Sequence, residues 1–189
     1  MNGGYNEMKL RINENVIEIM QGDITQQATD AIVNAANRTL LGGGGVDGAI
    51  HRAAGPQLLD ACKSLREINL KGAYLQTGEV AITKGFDLQA RYVIHTVGPI
   101  WEPQHEALQR VELANCYWNA LKLAQQYELT SISFPAISTG VYNYPQEKAA
   151  IIALNTIRTY LENHTFGKVV ITLFSEADLD VYRQVIEEA

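Results

Sequence analysis

The sequence predicts an α/β fold built on a largely parallel central sheet. Three observations carry that prediction. Short apolar, β-branched runs recur along the chain, stretches with helical spacing separate most of them, and glycine or proline punctuates many of the junctions. At 189 residues one domain is expected, since domains run to about 150 residues. That domain is placed at residues 9–189, behind a flexible N-terminal tail at residues 1–8.

Residues 16–20 (VIEIM) read as the first strand, stopped by Gly22. Residues 31–33 (AIV) suit a short buried strand that runs into Asn34. A helix is expected to begin near Asp47, and a second follows Pro56, marked by Leu58, Cys62 and Leu65. Residues 79–83 and 92–97 read as two more strands. Leu113, Tyr117, Ala120, Leu121 and Ala124 recur at helical spacing. Residues 131–134 form a strand ahead of Pro135. Ala149, Ile152, Ala153, Thr156, Ile157, Tyr160 and Leu161 then mark a helix behind Pro145, where a first turn tolerates proline. The strongest strand is residues 169–174 (VVITLF), and residues 178–188 suit a terminal helix. No internal repeat, charge block or linker interrupts this alternation.

Composition excludes several classes of function. A hydrophobic fraction of 47% is too high for disorder. No apolar run approaches the ~20 residues of a membrane span, and the polar start reads as no signal peptide. Two cysteines, Cys62 and Cys116, are too few for a disulfide framework or a Cys-rich metal site. A soluble, cytoplasmic setting is therefore expected. With 15 Lys+Arg against 21 Asp+Glu, the formal charge of -6 gives little attraction for nucleic acid or anionic membrane. One feature is uneven. Six of the fifteen glycines (Gly42 to Gly45, Gly48 and Gly55) fall within fourteen residues.

In sheets of this kind ligands bind outside the carboxyl ends of the strands, which ranks the loops after Met20, Val33, Phe134 and Phe174 first. The glycine run reads in two ways, as a floppy surface turn or as backbone that approaches a ligand and offers N–H groups to phosphate oxygens. In the second reading the helix near Asp47 adds its N-terminal partial charge. No Gly-Lys-Ser/Thr follows, so the run is not a P-loop, nor does it have the spacing of the dinucleotide fingerprint. Ser138-Thr139-Gly140-Val141 is a second small-residue turn after a strand. Neither loop holds Lys or Arg, so amides would hold any phosphate there.

Asp23 is either a cap for Ile24-Thr25 or an acceptor for an exocyclic amine such as adenine N6. Phe174 is core by default, or a stacking surface for a base if its ring reaches the site mouth. Of Asn34 and Asn37, one suits a local side-chain-to-backbone lock and the other the binding of sugar hydroxyls. Asp47 and His51, four apart, share a helix face. They are a cap and a structural imidazole, or an acid and a base that orient a water. His95, inside a strand, reads as structural, and His105 and His164 as surface groups. No grouping of His, Cys and carboxylates has metal-ligand spacing. Neither cysteine lies in a strand-end loop, which argues against a thiol nucleophile.

Taken together, these segments resemble the macrodomains, and within them the MacroD-type ADP-ribosyl hydrolases. The resemblance rests on Gly22-Asp23-Ile24-Thr25, on Ile32 through Asn37 (IVNAAN), on Gly42 through Pro56 (GGGGVDGAIHRAAGP), on Thr96-Val97-Gly98-Pro99 and on Pro135 through Pro145 (PAISTGVYNYP). It implies a three-layer α/β/α sandwich on a mixed sheet, with ADP-ribose as ligand. Asp23, with Ile24 beside it, would match the aspartate that binds the adenine amine, and Phe174 the aromatic that packs on adenine. Gly43, Gly44, Gly45 and Val46, with Ser138, Thr139, Gly140, Val141 and Tyr142, would match the two loops around the diphosphate and distal ribose. Asn34 stands among the candidate ligand contacts. Asn37, Asp47 and His51 would match the residues that support hydrolysis at the distal ribose. Two departures are visible. Asn143 stands where glycine is common, and Ser175 follows the aromatic where an acid is frequent.

The activities implied are deacetylation of O-acetyl-ADP-ribose and removal of mono-ADP-ribose from acidic side chains of proteins. Both cleave an ester on the distal ribose. The diphosphate and Asp47 would activate a water, Asn37 would fix the ribose, and His51 would support Asp47 or the ribose hydroxyls. An exposed Asp is a weak base at pH 7, its reference pKa being ~3.9, so the substrate phosphate would share that role. The implied partners are ADP-ribose derivatives and mono-ADP-ribosylated proteins, with no cofactor, metal or membrane, and a monomer is expected. A non-catalytic ADP-ribose-binding module and an ADP-ribose 1″-phosphate phosphatase are the competing readings. An RNA- or protein-interaction module is a third, which the net charge disfavours.

Overall fold

The structure is a computed structural model and describes residues 7–189. Its strands are β1 (Glu7–Ile12), β2 (Asn15–Gln21), β3 (Ala31–Ala35), β4 (Val80–Lys84), β5 (Tyr92–Thr96), β6 (Ser131–Phe134) and β7 (Lys168–Leu173). Its α-helices are α1 (Gly45–Ala54), α2 (Pro56–Ile68), α3 (Glu106–Gln126), α4 (Gln146–Asn163) and α5 (Glu176–Glu188). Every strand and helix expected from periodicity is present, and β1 is additional.

β1 corrects the expected tail. Glu7 and Met8 belong to a strand that pairs antiparallel with β2, Glu7 opposite Met20 and Ile12 opposite Asn15. Charged Glu7, Lys9 and Arg11 face water while Met8, Leu10 and Ile12 pack on the core, an alternation of period two. Residues 1–6 of the expected tail lie outside the described residues.

The seven strands form one sheet in the order β1-β2-β7-β6-β3-β5-β4. β2, β7, β6, β3 and β5 run parallel, and β1 and β4 close the two edges antiparallel. The sheet is mixed, as the resemblance implies. Both faces are covered. Ala31 and Val33 of β3 enter the core that α3, α4 and α5 complete, whereas Ile32 between them enters the core completed by α1 and α2. Adjacent strand residues point to opposite faces, so the helices form two layers around the sheet.

The parallel strands deliver their carboxyl ends to one edge of the sandwich. The loops after β2, β3, β6 and β7 therefore lie side by side, and these are the loops that the sequence ranks first.

Candidate active site

The loop after β2 opens with Gly22, whose N–H donates to the Leu173 carbonyl at 2.8 Å. That bond sets the ends of β2 and β7 together. Asp23 takes the capping role. Its Oδ1 accepts from the Thr25 N–H at 2.9 Å and from Thr25 Oγ1 at 2.7 Å, over a short 3-10 turn at Ile24–Gln26. The carboxylate remains exposed, while Ile24 is buried beneath it. Phe174, just past β7, is not core: 83% of it is exposed. Ser175 caps α5 by accepting from the Asp178 N–H at 3.1 Å, which explains a hydroxyl at this position.

The loop after β3 carries both asparagines, and they part ways. Asn37 Nδ2 donates to the Gly42 carbonyl at 2.8 Å, and its Oδ1 accepts from Thr39 Oγ1 at 2.7 Å. Those bonds shape the glycine run. Asn34 is wholly enclosed behind it. Its Nδ2 donates to Asp47 Oδ1 at 2.9 Å and lies 3.2 Å from His95 Nδ1. The side chain considered for ligand contact thus lies behind the wall and reaches the site through Asp47.

α1 begins at Gly45, two residues ahead of Asp47, in the first turn, where a negative charge suits the helix dipole. Asp47 is 5% exposed, not the exposed group assumed from spacing. Burial raises its pKa, against the opposing effects of the Asn34 hydrogen bond and the charge of His51. His51 Nε2 lies 3.4 Å from Asp47 Oδ1, so the pair shares a face as the spacing requires. Asp47 Oδ2 has no partner within the protein. A Cβ on Gly43 would stand 3.2 Å from that oxygen and 3.3 Å from Asn37 Nδ2, so these two groups converge on the same glycine.

The loop after β6 closes on itself. The Tyr144 N–H donates to the Ser138 carbonyl at 2.9 Å and the Asn143 N–H to the Gly140 carbonyl at 3.0 Å. Ser138 and Asn143 adopt left-handed φ values of 67° and 59°, and asparagine tolerates that region better than most residues. The Trp101 N–H donates to the Tyr142 carbonyl at 2.8 Å, tying this loop to the one after β5. Ser138 Oγ is buried without a partner. A Cβ on Gly98 would come within 2.1 Å of it, so only glycine lets the two loops meet.

Between the glycine run and this loop runs a cleft of about 460 Å³, lined by residues 35–37, 43–47, Gly98, 136–138 and 140–142. It gathers Asn37, Gly43, Gly44, Gly45, Val46, Asp47, Ser138, Gly140, Val141 and Tyr142. Thr139 turns away into a small cavity with Tyr117 and Tyr182. Asp23, Ile24 and Phe174 lie outside the lining, at the strand ends next door. The cysteines offer no thiolate, since burial pushes Cys62 up to about 12 and Cys116 up to about 11. His105 pairs with Glu102 at the surface, and His164 stacks on Tyr160. Sequence reasoning missed His95 as a partner of this site. Its signal was the pairing of a polar residue on β5 with Asn34, its register neighbour on buried β3.

A family model for the Macro domain matches residues 33–153. A macro domain-containing protein of Xanthomonas campestris is 54% identical over 172 residues, covering 90% of this chain and 94% of the relative. The ADP-ribose glycohydrolase MACROD2 of Homo sapiens is 47% identical over 184 residues, which are 96% of this chain but 41% of that protein. Among solved structures, the Oceanobacillus iheyensis macrodomain with ADP is 56% identical, with a TM-score of 0.94 over 96% of this chain and 95% of that one. Family model, sequence identity and fold agree, and the chain belongs to the macro domain family.

Proposed function

We propose that this protein is a hydrolase that holds ADP-ribose derivatives in the cleft and cleaves an ester on the distal ribose. The names of its relatives support ADP-ribose as the ligand, and a cleft of about 460 Å³ suits one small molecule. The diphosphate lies against the backbone of residues 43–46 and 140–142, and the adenine reaches Asp23 and Phe174. The distal ribose faces Asn37 and Asp47.

The observation that carries catalysis is the state of Asp47. It is buried and fixed through Oδ1 by Asn34 and His51, and its Oδ2, buried as well, has no partner within the protein. A carboxylate whose pKa is raised is a better base at neutral pH than a free one. Oδ2 takes a proton from water as the water oxygen bonds to the acyl carbon. The bond from that carbon to the ribose oxygen then breaks, and the ribose oxygen leaves with the proton that Oδ2 took, which regenerates the carboxylate. ADP-ribose and a carboxylic acid result. A non-catalytic reader has no need of a buried carboxylate with an unpartnered oxygen in the cleft wall.

The test compares Asp47→Ala with the parent on O-acetyl-ADP-ribose and on an ester-linked mono-ADP-ribosylated protein. Turnover reduced about 10²–10⁴-fold, with ADP-ribose affinity kept, supports hydrolysis. Full turnover in the variant overturns it. The faster of the two substrates in the parent identifies the acyl group that the site prefers.

A further inference from the structure

We infer that His95 is a positioning residue for Asp47, acting through Asn34 from behind the cleft wall. This rests on the hydrolytic reading above.

The geometry is a buried polar line across three adjacent strands and one helix. Thr83 on β4 meets His95 on β5, His95 meets Asn34 on β3, and Asn34 meets Asp47 on α1. Each of the four is at least nine-tenths buried, so water is excluded along the line. Hydrogen-bond chemistry fixes the amide and imidazole protons on it. The Asn34 amide must turn its NH2 toward Asp47, because its carbonyl oxygen there would face a carboxylate oxygen at 2.9 Å. The second proton of that NH2 points at His95 Nδ1, 3.2 Å away. Nδ1 is therefore the bare nitrogen, and Nε2 carries the proton and donates to Thr83 Oγ1 at 2.9 Å.

Asn34 Oδ1 has no partner. The amide is thus oriented by its NH2 alone, and His95 is one of the two groups that hold it. An imidazolium would carry a proton on Nδ1 and push the amide away. Burial prevents that by holding the imidazole down to about 3. The residue that looks like ordinary core sets the direction of the base.

The experiment measures kcat and KM on O-acetyl-ADP-ribose, with ADP-ribose affinity, in His95→Phe and His95→Asn. The phenylalanine removes the acceptor, whereas asparagine places Oδ1 near the position of Nδ1. Outer partners of a catalytic group are commonly worth 10–100-fold. The expected result is kcat lowered by about that factor in His95→Phe, KM and affinity within about twofold of the parent, and most of kcat restored in His95→Asn. Equal loss in both folded variants, or none in His95→Phe, overturns the inference. If His95→Phe does not fold, the imidazole 15N shifts of the unaltered protein decide. Bare Nδ1 with protonated Nε2 supports the line, and a protonated Nδ1 overturns it. Asp47→Ala measured alongside separates the failures. Undiminished turnover there defeats the hydrolytic reading, whereas a dead Asp47→Ala with a fully active His95→Phe defeats only the role of His95.

Discussion

Gly48 lies so close to Gly43 that a Cβ on Gly48 would stand 2.5 Å from the Gly43 carbonyl oxygen. One glycine of the run thus packs on another, and the loop that forms the cleft rests on the first turn of α1. Gly44, between them in sequence, meets nothing within 4 Å on its Cβ side.

These two positions separate folding from binding. Gly48→Ala forces the loop outward, and overpacking of this kind costs about 1–3 kcal/mol. The variant should melt several degrees lower and bind ADP-ribose more weakly. Gly44→Ala should melt like the parent, because its backbone is extended and its side is open. Its methyl group projects from the run that the diphosphate would contact, so affinity should fall with Tm unchanged. Calorimetric titration beside a thermal melt checks both. Undiminished affinity in Gly44→Ala would remove the diphosphate from this loop.

Asp47 sets activity against stability. Its pKa is raised by burial above the ~3.9 of an unfolded Asp. The contribution of such a group is fully present below ~3.9 and lost as pH rises through the folded value. Ionised Asp47 therefore weakens the fold at pH 7. Asp47→Asn should melt above the parent at pH 7, with the gap closing below ~pH 3.9. Its turnover should drop about 10²–10⁴-fold. In the parent, kcat should fall on acidification at a pH above the ~3.9 of an unburied Asp. Thermal melts across pH, beside initial rates, check the sign of both effects.

Phe174 offers a third measurement. With 83% of its surface in water, Phe174→Ala should leave Tm unchanged. Base–aromatic stacking contributes ~1–3 kcal/mol, so ADP-ribose should bind about 5- to 150-fold more weakly. Affinity for ribose 5-phosphate, which lacks the base, should not move. An equal loss for both ligands would mean that the ring acts on the loop and not on the base.

Much of this site was legible because its loops follow strands with clear ends. Gly22 and Pro135 mark those ends, and helical spacing alone puts Asp47 and His51 on one face. β1 was hidden for a different reason. Its alternation of Glu7, Met8, Lys9, Leu10, Arg11 and Ile12 is that of an edge strand, half polar, with no glycine or proline directly beside it. Burial was the other loss. The spacing of Asp47 is that of a cap, and only the fold decides whether a cap is covered. Phe174 erred the opposite way, since an apolar residue ending a buried run reads as core, yet β7 stops one residue earlier. Asn34 and Thr139 show the same limit: a loop motif names the residues at a site without telling which way each side chain turns.

Among the residues that line the cleft, Asp47 carries the only formal charge. An anion entering it would meet amide dipoles and no lysine or arginine, so it displaces no condensed counterions from protein cations. The part of the affinity that the amides supply is nearly indifferent to ionic strength, whereas the repulsion between the anion and Asp47 weakens as salt is added, because salt screens separated charges far more than hydrogen bonds made at contact. Such a pocket forgoes long-range capture of its ligand. In return its grip does not weaken as salt is added, and it gives polyanions, which depend on many cationic contacts, no foothold.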